Sequence, residues 1–279
     1  MDLSLLDHAF MRHALLSGAF AGICCALAGV FAVLMRLTFI GVCLAHAAFA
    51  GGLMAMVLGV DPMLGSLVLS LCSAAVIGPM ADRGDFSPDT AVGIVFSTML
   101  GAAILCIGLL PGSKAQALGL FWGNILTVSL RDVWLLAGTA VLAVGTIVLF
   151  YKEIQAVACH REVAAAAGLP ATAIFYAILS FTGVTVTACL PSVGGLLVYS
   201  LIINPAAAAY QLTYRLHWMF LLAALFGILS CEAGLLISYE FDLPAGASIV
   251  LVSSALFVVC AAFSPKRRQA KATGCNAQA

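Results

Sequence analysis

Two ionisable residues stand inside long apolar stretches of the sequence, which makes them the first candidates for chemistry. Glu232 lies in LLAALFGILSCEAGLLISY, and His46 lies in IGVCLAHAAFAGG. A charge at the centre of a membrane-spanning helix costs about 2.5 to 3.5 kcal/mol on insertion scales, so such a residue is a functional candidate by default. Imidazole and carboxylate together form a common ligand set for zinc or manganese. We therefore predict that His46 and Glu232 handle a cation; the alternative is a neutral histidine bonded between helices and a protonated glutamate bonded to a carbonyl.

Two further polar positions are candidates for the same pathway. Cys43 precedes His46 by three residues, so on a helix the two side chains share a face. Asn204 precedes Pro205 in SLIINPAAAAY, where proline frees a backbone carbonyl and asparagine adds an amide. The freed carbonyl and the amide at such a kink would line a pathway. The alternative is that the kinked helix only packs on its neighbours through small residues.

Acidic residues also occur in the loop YEFDLPAG, between two apolar runs. Glu240 and Asp242 would attract cations to the outer mouth of a pathway. The alternative is that they are simply solvated loop residues.

Enzyme chemistry is disfavoured by the motifs that the sequence lacks. It has no H-E-x-x-H or G-x-S-x-G element, and the histidines other than His46 lie in flanks or loops. It also has no G-x-x-x-x-G-K-[ST] phosphate loop, so any use of ATP requires a partner.

The elements that must position these residues are membrane helices. Of 279 residues 63% are hydrophobic and 9% charged, with a mean hydropathy of +1.14, a balance that a soluble domain could not cover with polar surface. The formal net charge is zero, which gives no indication of nucleic-acid binding. The ten cysteines are scattered in apolar runs without a C-x-x-C pair and are interpreted as small hydrophobes.

The apolar runs predict an all-α, polytopic transmembrane helical bundle of about nine segments, within a range of eight to ten. A span needs about 20 apolar residues, and only helices or closed barrels satisfy the backbone in lipid. The first run is too long for the core of a signal peptide and is expected to be retained. The predicted spans are 14–35, 39–59, 63–80, 90–110, 134–151, 171–190, 193–210, 218–238 and 245–263.

Positive charges indicate the orientation. Cytoplasmic segments are enriched in Lys and Arg, and the basic cluster after the last span places the C-terminus in the cytoplasm and, with nine spans, the N-terminus outside. This orientation puts five further basic residues inside and three outside. The inside set is Arg36, Arg83, Lys152, Arg161 and Arg215, and the outside set is Arg12, Lys114 and Arg131.

Two connections are more than simple turns. The outer segment 111–133 has an apolar centre, LGLFWGNILTVS, that is able to dip into the membrane as a short or re-entrant helix. The cytoplasmic segment 152–170 reads as an Ala-rich docking helix that is closed by Gly168 and stopped by Pro170. We expect one permease domain over residues 1–265 and a disordered cytoplasmic tail over 266–279.

Six blocks in order resemble the membrane permeases of zinc, manganese and iron ABC importers that work with cluster A-I metal-binding proteins, which have a type II importer fold. The blocks are RLTFIGVCLAHAAFAGG, DTAVGIVFSTMLGAAIL, LFWGNILTVSLRDV, EVAAAAGLP, SVGGLLVYSLIINPAAAA and GLLISYEFDLPAGASIVL.

The resemblance implies the partners and the task. Two copies of the chain would form the pathway in a bacterial inner membrane and bind no cofactor themselves. Two ATP-binding subunits would hold ATP and Mg²⁺, and a periplasmic or lipid-anchored protein would deliver Zn²⁺ or Mn²⁺, with iron as a further metal. The segment 162–170 resembles the element that contacts the ATPase. Its expected contact residues are Glu162, Ala166, Gly168 and Leu169.

The sequence also departs from that family. In that family, two positions before the histidine of span two are usually an acidic residue and a serine, and here they are Val42 and Ala45. The outer block of the family frequently has an aspartate where this sequence has Asn124. Glu232 occupies a commonly apolar position. We hypothesise that Glu232 compensates for the carboxylate missing at Val42.

Two other transporter classes stay open on the sequence. One is a permease for siderophore or other metal chelates, which is usually longer and has one more helix. The other is a proton-coupled secondary transporter that uses Glu232 as a relay, which should show inverted repeats that are not evident here.

Overall fold

The computed structural model describes residues 9–82, 87–110, 119, 123, 125 and 128–266, and its regular elements are helices. They are α1 Ala9–Leu34, α2 Ile40–Leu58, α3 Pro62–Asp82, α4 Pro88–Leu109, α5 Leu130–Leu149, α6 Tyr151–Cys159, α7 Arg161–Ala166, α8 Ala171–Val193, α9 Gly195–Leu212, α10 Leu216–Glu240 and α11 Ala245–Ala262.

Within the described residues, nine of these helices are long and apolar enough to cross a membrane. They are α1 to α5 and α8 to α11, and they match the nine predicted spans in order. The short helices α6 and α7 form the predicted connection between the fifth and sixth spans. The predicted all-α, polytopic bundle is therefore confirmed.

Local sequence signals satisfy the backbone at helix starts, where the first N–H groups lack partners within the helix. At α4 the Ser87 hydroxyl accepts a hydrogen bond from the Thr90 N–H at 3.2 Å, and Pro88 occupies the first helical position. At α5 the residues Ser129 and Asp132 form a reciprocal capping box, in which the Ser129 N–H donates to Asp132 Oδ2 at 3.0 Å. These caps fix where two of the spans begin.

Glycines allow the central helices to cross closely. A Cβ atom added to Gly22 of α1 would clash with the backbone of Gly227 in α10, and one added to Gly51 of α2 would clash with the backbone of Gly65 in α3. Because lipid tails are as apolar as leucine, close packing and not apolar burial holds membrane helices together. These glycines fix the α1–α10 and α2–α3 crossings.

The connection between α5 and α8 differs from the single Ala-rich helix that the sequence predicted. His160 has an extended backbone, with φ −150° and ψ 84°, and separates α6 from α7. The break lets the chain fold back, so that Val157, Ala164 and Ala171 bury one another in a small apolar cluster. Packing between these neighbouring segments therefore overrides the helix propensity of the alanines at this point.

The end of α11 is fixed against the last turn of α9. The Ser264 hydroxyl donates to the Gln211 carbonyl at 3.0 Å, and Lys266 Nζ lies 3.5 Å from the centroid of the Tyr210 ring. Lys266 was expected in the disordered tail but makes a defined contact. The remainder of that predicted tail lies outside the described residues.

Candidate metal pathway and coupling segment

His46 lies in the middle of α2, half-buried beside α4. Its Nδ1 is 2.9 Å from the Val42 carbonyl oxygen, and its ring centroid is 4.9 Å from that of Phe96, in an edge-on arrangement. Since a carbonyl oxygen only accepts hydrogen bonds, Nδ1 is the donor of this bond. Metal-binding histidines are commonly oriented in this way, with one ring nitrogen held by a carbonyl.

The other residues of this α2 turn provide no carboxylate. Val42 contributes its backbone carbonyl to His46, and Ala45 is buried. Cys43 is also fully buried, within the hydrophobic core. A role for Cys43 in the pathway stays a prediction.

Glu232 occupies a different environment in α10. Leu225, Leu229 and Leu236, which follow the same helical stripe, are each 36 to 46% exposed. The neighbouring Cys231 is fully buried and faces α1, where Gly18 leaves room for it. Glu232 is half-buried, and its stripe points away from the α1–α10 contact.

Within one copy, His46 and Glu232 stand on helices whose main packing partners differ except for α9. α2 packs against α3, α4, α8 and α9, whereas α10 packs against α1, α9 and α11. Among the residues that the structure describes, no three His, Cys, Asp or Glu side chains are grouped so that they could hold a metal ion. A shared site of His46 and Glu232 thus stays a prediction.

Asn204 lies in α9 and forms a hydrogen-bond cluster with α11. Its Nδ2 is 3.1 Å from Ser200 Oγ, 2.9 Å from Ser253 Oγ and 3.0 Å from Ser254 Oγ. The Ser200 and Ser253 hydroxyls are 2.9 Å apart. Pro205 is accommodated inside the continuous helix. The cluster ties α9 to α11, so the geometry favours the packing interpretation of Asn204.

Glu240 and Asp242 line one cavity at the end of α10. The cavity has a volume of about 650 Å³ and includes Phe10 of α1 and Pro244 before α11. Both carboxylates belong to exposed residues, and Asp242 adopts a left-handed backbone with φ 54°. The structure therefore brings the two predicted mouth residues to the same opening.

The described residues of the outer segment contact the bundle. Gly123 has φ 64°, and a Cβ atom there would clash with the Val193–Gly194 backbone at the junction of α8 and α9. Ile125 is buried in the core. Asn124 lies outside the described residues. A glycine at position 123 is needed both for its backbone conformation and for this close approach.

The predicted coupling segment ends in a Schellman motif. The Leu169 N–H donates to the Ala164 carbonyl at 3.1 Å, and the Gly168 N–H donates to the Ala165 carbonyl at 3.0 Å. Gly168 supplies the left-handed conformation, with φ 87°. Leu169 packs on the cluster that contains Ala164 and anchors the end of the motif.

This anchoring leaves one face of α7 open. Glu162 and Ala166 are exposed, as are the apolar side chains of Val163 and Ala165, and Val163 is 66% exposed. An exposed, largely apolar helix face on a rigid turn is a suitable docking surface for another protein.

Sequence reasoning missed the partners of the predicted residues. It did not single out Phe96 beside His46, or Ser200, Ser253 and Ser254 around Asn204. The adjacent serines inside the apolar last span were the available signal, since buried hydroxyls in lipid need partners.

Nine candidate spans among the described residues include a histidine inside the second one, and two short helices with an exposed face join the fifth and sixth. These features define a multi-pass membrane protein of the transport permease class. The model of the ABC 3 transport family matches residues 7–264. The chain belongs to this family, as the sequence blocks indicated.

Relatives and a solved structure agree over almost the whole length. The manganese transport system membrane protein MntC of Halalkalibacterium halodurans is 33% identical over 263 residues, which are 94% of this chain and 90% of MntC. The manganese import system permease protein ScaB of Streptococcus gordonii is 29% identical and covers 96% of each chain. The structure of PsaBC from Streptococcus pneumoniae in complex with Fab contains a chain that superposes with a TM-score of 0.86 at 29% identity, covering 97% of both chains.

Proposed function

We propose that this chain is the permease subunit of an ABC importer that carries a divalent transition metal into the cytoplasm, with manganese favoured over zinc and iron. The observation that carries the proposal is similarity to manganese permeases along almost the entire chain. His46 adds the chemistry, because it places an imidazole inside a membrane span and holds it through a carbonyl, as metal-binding histidines are held.

The proposed mechanism is alternating access in a dimer of this chain. Metal passes His46 transiently, and a sparse ligand set suits this task, because an ion that binds too tightly does not leave. The proposed role of Glu232 is independent of that of His46, because the face of α10 that carries Glu232 points away from the contact with α1.

Two ATP-binding subunits would dock on the cytoplasmic face. The exposed face of α7, with Glu162, Val163 and Ala166, offers the contact, and the Schellman motif at Gly168 and Leu169 holds it at a fixed angle to α8. A rigid connection is needed because ATP-driven movement must reach the spans.

A metal-binding protein would deliver the ion at the opposite end. Glu240 and Asp242 line the opening there and would raise the local concentration of cations. The proposal has the N-terminus outside and the C-terminus inside a bacterial cytoplasmic membrane, and the distribution of basic residues supports this orientation.

The test is uptake of radioactive manganese and zinc by proteoliposomes that contain the chain with the ATPase and binding protein from its gene neighbourhood. We expect ATP-dependent manganese uptake that exceeds zinc uptake and disappears without the ATPase. Uptake driven by a proton gradient without ATP would instead support a secondary transporter. ATP-dependent uptake of a metal chelate, with none of the free ion, would overturn the metal assignment.

A further inference from the structure

A groove open to the membrane runs between α5, α6 and α10, near the cytoplasmic end of the proposed orientation. It has a volume of about 870 Å³, and α1 contributes its floor at Leu27. Its walls and rim are formed by Leu27, Val144, Ile147, Val148, Leu149, Tyr151, Lys152, Glu153, His217, Phe220, Leu221 and Ala224.

The groove is apolar along its length and charged at one end. Ile147 and Phe220 are buried at its base, whereas Val148 and Leu221 are more than half exposed along its edges. Its acidic, basic and histidine residues all follow the end of α5 or lie in the first turn of α10. These residues are Lys152, Glu153 and His217.

The dimensions fit one leaflet of a bilayer. Eight residues separate Val144 from Lys152 and seven separate His217 from Ala224, which at about 1.5 Å per residue gives a groove roughly 10 to 12 Å long. Half of a hydrocarbon core of about 30 Å is about 15 Å. The apolar walls therefore span most of the acyl-chain region of a single leaflet, and the charges lie at its boundary.

The charges at the rim carry both signs. Lys152 is exposed and cationic, and Arg215, two residues before His217, is also exposed. Glu153 is half-buried and also borders a smaller cavity between α5 and α8. A phosphate with an attached primary amine matches this pattern, because the phosphate pairs with the cationic side and the ammonium with the carboxylate.

We propose that this groove binds one glycerophospholipid with a phosphoethanolamine headgroup, with its acyl chains along α5 and α10. Lys152 and His217 hold the phosphate, and Glu153 holds the amine. The lipid fills the gap between α5 and α10 and thereby stabilises their spacing beside the coupling segment. The assignment to the cytoplasmic leaflet rests on the proposed function, but binding itself does not.

The test measures phospholipid that stays bound to the full chain, purified with its ATPase from nanodiscs of equal phosphatidylethanolamine, phosphatidylcholine and phosphatidylglycerol. Native mass spectrometry counts lipids per chain. We expect one retained lipid, with phosphatidylethanolamine enriched at least about fivefold over the other two, because both charges of its headgroup are paired.

Two pairs of variants assign the binding to the groove. Ala224→Trp fills it and should remove the retained lipid, whereas Val141→Trp, at a 73% exposed position of α5 outside the groove, should leave it. Lys152→Gln should lower retention at least about fivefold, whereas Arg131→Gln, at the opposite end of α5, should not. Glu153→Gln should abolish the preference for phosphatidylethanolamine over phosphatidylglycerol.

Three results would overturn the proposal. Equal retention by wild type and Ala224→Trp would place the lipid elsewhere, and equal retention of all three lipids would remove the headgroup assignment. If Ala224→Trp instead dissociated a second copy or the ATPase without a change in lipid, a protein would be the occupant. No metal or transport enters this measurement, so a failure of metal uptake is a separate result.

Discussion

α2 and α10 each carry one ionisable residue in an apolar span, yet the two helices place it differently. His46 is held by its own helix through the Val42 carbonyl and by the ring of Phe96 on α4. Glu232 shares a stripe with exposed leucines, while the opposite face of α10 packs on α1. The cost of an intramembrane charge identifies both as candidates, but only packing distinguishes a side chain oriented within the bundle from one on its rim.

The largest expected effect is at His46. His46→Ala should lower the initial rate of manganese uptake about 100-fold, equivalent to roughly 3 kcal/mol, because the ion loses its imidazole ligand. Uptake into proteoliposomes measures this, with Met54→Ala, at an exposed position of α2, as the matched control. Normal uptake by His46→Ala at normal expression would show that the pathway runs elsewhere.

Glu232 should matter less than His46. Glu232→Gln should lower uptake about fivefold, equivalent to roughly 1 kcal/mol, because it removes charge but keeps shape. Leu229→Gln, one turn earlier on the same face of α10, is the control for the effect of an amide side chain on that face. A normal rate for Glu232→Gln would exclude compensation for the carboxylate missing at Val42.

Restoring the carboxylate on α2 tests the compensation directly. In a Val42→Asp background, Glu232→Gln should lower uptake by less than about twofold, because the two carboxylates then serve the same ion and their effects are not additive. The four rates of the double-mutant cycle measure this coupling. Additive effects would show that α2 and α10 act independently.

The smallest effect is expected at Asn204 in α9, the helix that packs on both α2 and α10. Asn204→Ala should lower the free energy of unfolding by about 1 kcal/mol or less, as interhelical hydrogen bonds in bilayers average about 0.6 kcal/mol. Thermal unfolding in detergent measures this, and uptake should stay within about twofold of wild type. Ser254→Ala should cost less stability, because Asn204 keeps two hydroxyl partners. A large loss of uptake at full stability would return Asn204 to the pathway.

The spans were predictable because their signal is local. Lipid requires about 20 apolar residues and an internally bonded backbone, so hydropathy gave all nine segments in order. The helix starts at Ser87 and Ser129 and the end at Gly168 follow from side chains within a few residues of each boundary. The candidates His46 and Glu232 also followed from sequence, because charge in an apolar run is rare and costly.

Everything that depends on contacts between distant segments required the tertiary structure. The orientation of Glu232 on α10 is determined by the packing of α1 at Gly18 and Gly22, more than 200 residues earlier in the chain. The bonds from Asn204 to Ser253 and Ser254 likewise arise from helices that meet only in the folded bundle. Hydropathy records whether a residue suits lipid, but the facing helix determines what each side chain contacts.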